Sequence, residues 1–427
     1  MEVVVKNTNI FSGFVKIPTS KSFTQRALAL ALLVKGKTEL HEVGNSDDEI
    51  SALSVIQKCG AKINCKNNTV SIKSNGINLD KKTDVNIGES GLSTRMFIPI
   101  LANSSHQVTV NGKGSIMKRE MSFFDRVLPL LNIQYFSTKQ KLPVSMQGPL
   151  SPKDIVLDGS QSSQYITGIV YGYIASKKLK NETISITDLK SRPYLQLSLD
   201  ILKIFGVSLE LKNNHIQFNG PYALKPTSLT LEGDWSSASF LLVAAAVFGE
   251  IKVSNLNKNS IQADKRILDA LMIFGANIRW DKNELIVKKN KCNSFTFDAT
   301  HCPDLFPPLA VLATFGSKPG VIKGISRLFN KESNRAIALQ QEFKKMGVKI
   351  LLDKKNDEMI VHPCSKIKGG VVESHGDHRI AMALTLLGLA SLEDLIIKDA
   401  GAITKSFPEF YEKINLLTDK SVLFSKK

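Results

Sequence analysis

The sequence predicts an α/β (α+β) fold with two domains, and three observations lead to this prediction. The chain has 427 residues, whereas one hydrophobic core serves about 150 residues, so two or three domains are expected. Amphipathic helices that end in a small residue recur about every 70 residues. Apolar helices that open with small or polar residues recur at the same interval, and short β-branched segments lie between them.

Each amphipathic helix is followed by a residue suited to the left-handed conformation and then by an apolar segment. Four copies have glycine there, and the copy RVLPLLNIQY has asparagine, the next-best residue for this conformation. These markers are Gly60, Asn132, Gly206, Gly275 and Gly347. We therefore expect a helix to end and a strand to follow at each marker.

The apolar helices are hydrophobic on nearly every face, which predicts that they are buried. They start at Ser20, Ser90, Ser162, Ser236, Pro303 and Asp377. Serine and aspartate side chains can accept hydrogen bonds from the free N–H groups of a first helical turn. Six units, each made of strands and two helices, would give two domains of three units.

The boundary between the domains should fall near Leu231–Asp234, halfway along the series. We expect residues 19–232 to form the first domain, and residues 1–18 plus 233–427 to form the second. The segment from Met1 to Pro18 precedes the first buried helix and alternates apolar and polar residues, which predicts strand structure that is free to pair with the second domain. The same alternation argues against a signal or transit peptide.

Composition limits the possible functions. Hydrophobic residues make up 43% and charged residues 22%, as in soluble globular proteins, and no apolar run is long enough to span a membrane. The five cysteines are odd in number and include no C-x-x-C pair, which argues against disulfides and zinc and favours a reducing cytoplasm. The net charge of +17 favours anionic partners, although a dispersed, solvated lysine surface is the plainer interpretation.

Parallel buried helices would bring their N-termini to one face of each domain, where free N–H groups and helix dipoles favour anions. The candidate site residues at these starts and in nearby turns, all polar or charged apart from one glycine, are Lys21, Ser22, Arg26, Gly91, Arg95, Arg119, Ser162, Ser163, Gln164, Ser191, Tyr194, Asp304, Lys331, Glu332, Arg335, His378, Arg379 and Lys405. Each alone is more often an exposed charge or a helix cap. Their recurrence at equivalent positions indicates a site for a polyanion.

The residue types restrict the chemistry of such a site. Arginine forks suit phosphates and carboxylates, and the sequence has no P-loop, no G-x-G-x-x-G after a strand and no G-x-S-x-G. Nucleotide-dependent and acyl-enzyme mechanisms are therefore unsupported. Asp304 and Glu332 are isolated carboxylates among many cations, which suggests proton transfer on a bound polyanion without a cofactor or metal.

Twelve ordered motifs, from about residue 10 to residue 415, carry a resemblance to a known family. They include P-T-S-K-S-x-x-x-R, S-D-D, G-S-x-S-S-Q, S-R-P-Y, E-G-D-x-S-S-A-S, N-K-E-S-N-R, D-H-R-x-A-M and K-S-F-P. The chain thereby resembles the 3-phosphoshikimate 1-carboxyvinyltransferases, or EPSP synthases. The resemblance implies a two-domain inside-out α/β barrel of six βαβαββ repeats, three per domain, with the active site in the interdomain cleft.

The resemblance also implies an activity in chorismate and aromatic amino acid biosynthesis. The enolpyruvyl group of phosphoenolpyruvate would pass to the 5-hydroxyl of shikimate 3-phosphate, with loss of phosphate, by addition–elimination. The implied shikimate 3-phosphate ligands, mainly in the first domain, are Lys21, Ser22, Arg26, Ser162, Ser163, Gln164, Ser191, Asp304 and Lys331. The implied phosphoenolpyruvate ligands, many of them in the second domain, are Lys21, Gly91, Arg119, Gln164, Arg335, Arg379 and Lys405.

The resemblance further assigns catalytic roles. Asp304 is the implied base toward the 5-hydroxyl, and Glu332 with Lys21 is the implied acid/base pair at C3 and at the leaving phosphate. Arg95 would support the site without contacting substrate. The implied protein is a cytoplasmic monomer whose partners are the two substrates, with no nucleic acid or membrane.

Several residues depart from the family pattern. They are Thr19-Ser20 in the first motif, Glu89 in place of Asn, Leu92 in place of Thr, Arg327 near a family Asn, and Asn334 in place of Asp. These departures bear on sensitivity to the inhibitor glyphosate and on fine substrate contacts rather than on the reaction class.

Three other functions remain open at this point. The sister family, which transfers enolpyruvate to UDP-N-acetylglucosamine, has P-G-x-K-N where this chain has Lys21-Ser22, and it commonly has a loop cysteine that residues 112–121 lack. A nucleic-acid-binding protein would suit the net charge, but aromatic residues are only 7% and no RNP motif occurs. An inactive family relative retained as a partner protein is the third possibility, and the chain argues against it by having Lys21, Asp304, Glu332 and Arg379.

Overall fold

The computed structural model describes residues 1–424 and shows a mixed α/β architecture with many small sheets. The helices are α1 (Lys21–Leu33), α2 (Asp47–Lys58), α3 (Gly91–Leu101), α4 (Ser122–Val127), α5 (Ser163–Ala175), α6 (Arg192–Ile204), α7 (Trp235–Phe248), α8 (Ile267–Phe274), α9 (Phe306–Thr314), α10 (Arg335–Lys345), α11 (His378–Gly388) and α12 (Phe410–Leu417). Within this described range, no helix is long and apolar enough to cross a membrane.

The strands are short. They are β1 (Val3–Val5), β2 (Ser12–Lys16), β3 (Lys35–His41), β4 (Lys62–Lys66), β5 (Thr69–Asn75), β6 (Thr83–Asn86), β7 (Val108–Asn111), β8 (Gln134–Thr138), β9 (Lys141–Gln147), β10 (Ile155–Asp158), β11 (Thr183–Thr187), β12 (Leu211–Lys212), β13 (His215–Gln217), β14 (Ser228–Thr230), β15 (Glu250–Ser254), β16 (Asn277–Asp281), β17 (Glu284–Lys288), β18 (Thr296–Asp298), β19 (Gly320–Lys323), β20 (Ile350–Asp353), β21 (Glu358–Val361), β22 (Gly370–Glu373), β23 (Leu395–Lys398) and β24 (Val422–Phe424).

These strands form four-stranded sheets that share one pairing pattern. The orders are β14-β3-β5-β4, β6-β7-β9-β8, β10-β11-β13-β12, β2-β15-β17-β16, β18-β19-β21-β20 and β22-β23-β1-β24. In the second of these, β6 and β7 are parallel, whereas β9 is antiparallel to both β7 and β8. The same sequence of one parallel and two antiparallel pairings occurs in the other five sheets.

The chain divides into two compact units. The first comprises Thr19–Leu231, and the second comprises Met1–Pro18 together with the chain from Glu232 onward. In the second unit, β1 lies between β23 and β24, and β2 pairs in parallel with β15. In the first unit, its last strand β14 pairs with its first strand β3.

The six helices α1, α3, α5, α7, α9 and α11 are buried along nearly their whole length, which confirms the prediction from their composition. In α7, every residue from Trp235 to Val247 is buried. Each leucine, isoleucine or valine buried in this way contributes about 1.5–3 kcal/mol relative to an exposed side chain. These helices therefore form the cores that hold the polar helix starts in place.

Polar side chains cap five of these buried helices. Ser20, Ser90, Ser162, Asp234 and Asp377 each accept a hydrogen bond from an N–H group of the following turn. The sixth helix, α9, continues instead from a 3-10 turn at Pro303–Leu305. A cap satisfies only part of the four free N–H groups at a helix start, so such starts still attract anions.

The five predicted left-handed markers are confirmed. Gly60, Gly206, Gly275 and Gly347 have φ angles of 100°, 88°, 102° and 87°, and Asn132 has a φ of 61°. Glycine and asparagine adopt this conformation at low cost, which explains why each amphipathic segment ends there.

Candidate functional site

In the first unit, hydrogen bonds link the starts of three buried helices. Ser90 Oγ and Ser93 Oγ both donate to Gln25 Oε1 at 2.7 Å, which joins α3 to α1. Arg95 Nη1 donates to Gln164 Oε1 at 2.8 Å, which joins α3 to the first turn of α5. Because each helix N-terminus carries a partial positive charge, this part of the unit attracts anions.

The ammonium group of Lys21 lies at the start of α1. Its Nζ is 2.9 Å from Asp48 Oδ2, and the two side chains are only 13% and 10% exposed. Asp48 belongs to the first turn of α2, which Ser46 and Glu49 close as a capping box. The Lys21 ammonium is therefore held by a carboxylate with which an incoming anion would compete.

Arg26 is buried and connects α1 to α6. Its Nε donates to Ser198 Oγ at 2.8 Å, and its Nη1 donates to the Ser22 carbonyl at 2.8 Å. Burial lowers the pKa of its guanidinium, although nearby tyrosines act in the opposite direction. The Arg26 guanidinium is therefore largely occupied by contacts within the protein, which link the backbone at Ser22 to α6.

Two guanidinium groups lie over Gly91 at the start of α3. A Cβ on Gly91 would stand 2.7 Å from Arg119 Nη1 and 2.9 Å from Arg95 Nη1. The Arg95 guanidinium also lies 4.9 Å from the centre of the Tyr165 ring, a cation–π contact. The missing side chain of Gly91 thus makes room for two cations above a helix start.

The predicted serines lie at two further helix starts. Ser162 caps α5, and the next residue, Ser163, is buried. Ser191 precedes α6 with a left-handed φ of 51°, and its carbonyl accepts a hydrogen bond from the Tyr194 N–H. The structure thus places Ser162, Ser163 and Gln164 together, and Ser191 at the start of a different helix.

In the second unit, the buried Arg335 joins three carboxylates. Its Nη1 lies 2.7 Å from Asp304 Oδ1, and its Nη2 lies 2.5 Å from Glu332 Oε2. Its Nε lies 2.8 Å from Asp377 Oδ2, and Asp377 is fully buried. Burial disfavours the charged guanidinium, but the attraction of the three carboxylates outweighs it and raises the pKa of Arg335.

Arg379 lies in the first turn of α11 and has donors that no other side chain or carbonyl uses among residues 1–424. Its Nη2 donates to Asp304 Oδ2 at 3.1 Å, whereas its Nε and Nη1 are buried without a hydrogen-bond partner among residues 1–424. Lys405 Nζ donates to the Gly376 carbonyl at 2.8 Å, beside the same helix start. Because unsatisfied buried donors cost free energy, the two groups of Arg379 mark a place where an anion would be stabilised.

The charges of this cluster determine how Asp304 ionises. Burial opposes its ionisation most strongly, but Arg379, Lys331 and Arg335 together hold the pKa of the carboxyl well below its usual value. Lys331 Nζ lies 3.3 Å from Asp304 Oδ1, and burial lowers the pKa of the Lys331 ammonium despite this neighbour. Asp304 is therefore an anion that three cations share.

A buried glutamate, which we did not identify from the sequence, fastens the turn before α11. The Glu342 carboxylate accepts hydrogen bonds from Lys345 Nζ at 2.7 Å and from the Glu373 N–H at 3.0 Å. It also lies 2.9 Å from His375 Nε2. His375 and Gly376 have φ angles of 54° and 65°, so this turn is left-handed at two consecutive residues before it presents Arg379.

Two partners of the predicted site residues were also not assigned from the sequence. They are Asp48, which holds Lys21, and Asp377, which holds Arg335. Both lie in quoted motifs, S-D-D and D-H-R-x-A-M, so the motifs contained a signal for them. No group of three or more His, Cys, Asp or Glu side chains in residues 1–424 is arranged to hold a metal ion.

The family model for EPSP synthase (3-phosphoshikimate 1-carboxyvinyltransferase) matches residues 5–414. The chain belongs to the EPSP synthase family. The 3-phosphoshikimate 1-carboxyvinyltransferase of Clostridium kluyveri is 33% identical over 420 residues, covering 98% of this chain and 97% of the relative. The enzyme of that name from Pyrococcus abyssi is 33% identical over 412 residues, covering 96% of both chains.

The solved structures agree with the fold of this family. An EPSP synthase from Acinetobacter baumannii superposes over 100% of both chains with a TM-score of 0.81 and 24% sequence identity. The relatives carry a transferase name, so the family inferred from the motifs is confirmed and the UDP-N-acetylglucosamine alternative is not favoured.

Proposed function

We propose that this EPSP synthase family member transfers the enolpyruvyl group of phosphoenolpyruvate to the 5-hydroxyl of shikimate 3-phosphate and releases phosphate. The observation that carries the proposal is the shared carboxylate Asp304, which Lys331, Arg335 and Arg379 surround. Cations gathered on one partly exposed carboxylate suit a reaction between two phosphorylated acids. The reaction belongs to the shikimate pathway of aromatic amino acid biosynthesis.

The fold of the proposed enzyme consists of six βαβαββ repeats, three in each unit, and each unit is an inside-out barrel. The common pairing pattern of the four-stranded sheets supports this organisation. The regular succession of buried helices with capped starts also supports it. The enzyme is a cytoplasmic monomer in this proposal.

Shikimate 3-phosphate binds mainly to the first unit. The groups assigned to it are Lys21, Ser22, Arg26, Ser162, Ser163, Gln164 and Ser191, with Asp304 and Lys331 from the second unit. Support comes from the linked starts of α1, α3 and α5, since N–H groups and hydroxyls at helix starts suit a phosphate ester. Arg26 contributes chiefly by holding the Ser22 backbone, because its fork already contacts Ser22 and Ser198.

Phosphoenolpyruvate binds to Lys21, Gly91, Arg119, Gln164, Arg335, Arg379 and Lys405. Arg379 is its strongest anchor, because two of its buried donors have no partner among residues 1–424. Arg335 acts differently, since its fork is directed at Asp377, Glu332 and Asp304. It serves first to set the positions of those carboxylates.

In the addition step, the 5-hydroxyl oxygen forms a bond to C2 of phosphoenolpyruvate. Asp304 accepts the hydroxyl proton, while the Glu332 and Lys21 pair supplies a proton to C3. In the elimination step, the same pair takes a proton from C3 and assists the leaving phosphate, while the C2–C3 double bond re-forms and the bond from C2 to the phosphate oxygen breaks. No covalent bond to the protein is formed.

A carboxylate with a lowered pKa is a weak base, so Asp304 requires activation. Bound phosphoenolpyruvate brings a phosphate and a carboxylate to the cations that Asp304 shares. When these groups draw Arg379 toward themselves, the stabilisation of ionised Asp304 weakens and its pKa rises. Bound phosphoenolpyruvate thereby converts Asp304 from the counter-ion of these cations into a base.

The test is phosphate release from phosphoenolpyruvate, measured with and without shikimate 3-phosphate and beside a UDP-N-acetylglucosamine control. Release that depends on shikimate 3-phosphate supports the proposal. Release that depends on the sugar nucleotide would assign the sister activity, and no release with either acceptor would identify an inactive relative.

A further inference from the structure

The segment from Gly88 to Gly91 runs along the segment that carries Arg119, and three successive contacts join them. The Lys113 N–H donates to the Gly88 carbonyl at 2.9 Å. The Ser115 N–H donates to Glu89 Oε2 at 3.0 Å, and Ser115 Oγ lies 3.3 Å from the same oxygen. At the far end, Arg119 Nη1 lies over Gly91.

Within the segment from Gly88 to Gly91, Glu89 makes its contact through its side chain. Its carboxylate meets the first turn of the 3-10 segment Gly114–Lys118, where N–H groups lack partners within the turn. It fills the space where a Cβ on Gly114 would stand, and Gly114 has a left-handed φ of 60°. An acceptor oxygen at a helical first turn satisfies N–H groups that have no partner within the turn, so Glu89 fixes where the turn begins.

The other side of Arg119 is held independently. Tyr165 Oη donates to the Glu120 carbonyl at 3.0 Å, and the Met121 N–H donates to the Gln140 carbonyl at 2.6 Å. Tyr165 is buried and stacked on Phe123, with ring centres 4.5 Å apart. The upstream side therefore depends on the turn that Glu89 caps.

We infer that Glu89 is a positioning residue that keeps the Arg119 guanidinium over the start of α3. This inference rests on the proposed function, in which Arg119 binds phosphoenolpyruvate. The hydrogen-bond acceptor and its reach matter in this role, whereas the negative charge itself does not help to bind an anion. Glu89 stands where the family pattern has Asn, a side chain one methylene shorter.

Four variants separate reach, acceptor and charge. Glu89→Gln keeps the reach and an acceptor oxygen without the charge, Glu89→Asn shortens the reach, and Glu89→Ala removes both. Glu120→Ala is the matched control, because it removes a carboxylate from an exposed side chain in the same segment. Each variant is measured for the Michaelis constants of both substrates and for amide hydrogen exchange of residues 113–119 in the substrate-free protein.

We expect Glu89→Ala and Glu89→Asn to raise the Michaelis constant for phosphoenolpyruvate about tenfold, the upper end of the scale for one ordinary hydrogen bond. The constant for shikimate 3-phosphate should change less than about twofold, and exchange of the Ser115 amide should rise about tenfold. Glu89→Gln and Glu120→Ala should stay within about twofold of the parent in every measurement. In an Arg119→Ala background, Glu89→Ala should add little, because the two residues act in series.

Unchanged exchange and kinetics in Glu89→Ala would overturn the inference. So would failure of Glu89→Gln to rescue, since the charge and not the acceptor would then be responsible. Hydrogen exchange does not depend on turnover, so it tests the anchoring even if the parent protein releases no phosphate. Absence of phosphate release would count against the proposed function, whereas the exchange data would still show whether Glu89 anchors the turn.

Discussion

Asp304 Oδ2 accepts a 3.1 Å hydrogen bond from Arg379 Nη2, while Asp304 Oδ1 lies 2.7 Å from Arg335 Nη1. One carboxylate therefore uses both of its oxygens to hold two buried guanidinium groups. In the substrate-free protein, the Asp304 carboxylate pairs with these guanidinium groups as the anion of a bound substrate would. This relationship leads to the first two predictions.

Replacing Asp304 by Asn should separate turnover from anion binding. The turnover number should fall about 100-fold or more, because a general base contributes at least that factor. Binding of phosphoenolpyruvate or inorganic phosphate should stay equal or become tighter, because the competing carboxylate has gone. Steady-state kinetics with isothermal titration of phosphate would check both, and weaker phosphate binding in Asp304→Asn would contradict the role of Asp304 as an internal counter-ion.

The pH dependence should differ between free and substrate-bound enzyme. In the free protein the pKa of Asp304 is held well below its usual value of 3.8, so this carboxylate stays ionised at every pH above that value. The pH profile of kcat/KM should therefore have no acid limb from Asp304, whereas the profile of kcat should gain one because bound substrate raises the pKa. An acid limb of the same pKa in both profiles would contradict the activation by substrate.

Arg379 and Arg335 should respond differently to replacement by Ala. Arg379→Ala removes two donors that have no protein partner. The kcat/KM for phosphoenolpyruvate should therefore fall by a factor equivalent to about 1.5–3 kcal/mol of transition-state stabilisation, with a modest loss of protein stability. Arg335→Ala leaves Asp377 buried without its cation, so it should lower the free energy of unfolding by about 3–5 kcal/mol. Arg279→Ala, on an exposed position of β16, is the charge-matched control. Kinetics and urea denaturation check the contrast, and equal stability losses in the two variants would contradict it.

Replacing Glu332 by Gln should lower kcat more than it changes the Michaelis constants. The amide can still accept a hydrogen bond from Arg335, so the geometry around the guanidinium persists while proton transfer at C3 is lost. Single-turnover kinetics would measure the chemical step directly. If only the Michaelis constants rose, Glu332 would be a binding residue and its acid/base role would be wrong.

Glu342 should stabilise the protein in a pH-dependent manner. Burial tends to raise its pKa, but hydrogen bonds from Lys345, the Glu373 N–H and His375 lower it below the usual value of 4.5. A lowered folded-state pKa gives stability that is present above pH 4.5 and is lost as pH falls through the folded value. Glu342→Gln should therefore be less stable than the parent by about 1–3 kcal/mol at pH 7 and by less at pH 4. Urea denaturation at the two pH values measures this, and a constant difference would contradict it.

Much of the fold follows from local sequence, because helix starts and ends depend on a few neighbouring residues. Ser90 and Ser162 cap helices where a polar cluster precedes an apolar run, and Asn132 ends a turn where the other copies have glycine. For α7 the cap is Asp234 instead of Ser236, a shift of two residues within one polar cluster.

The pairing of side chains within the site could not be predicted from local sequence in the same way. Arg335 meets carboxylates from distant parts of the chain, at Asp304 and Asp377, and Glu89 meets Ser115 across a strand and a helix. Such pairings depend on how elements pack, and no local periodicity encodes them. The motifs indicated the candidate residues. The structure shows that the Arg335 guanidinium donates to carboxylates such as Asp377, whereas Arg379 has two buried donors without a partner among residues 1–424.

Transfer of the enolpyruvyl group is tested most directly by following the phosphorus atoms of both substrates by ³¹P NMR in one reaction. We expect the phosphoenolpyruvate signal to decline while inorganic phosphate and a new shikimate phosphate ester appear in equal amounts, and we expect Asp304→Asn to slow all three changes together. Inorganic phosphate without the new ester, or no change in either substrate, would contradict it.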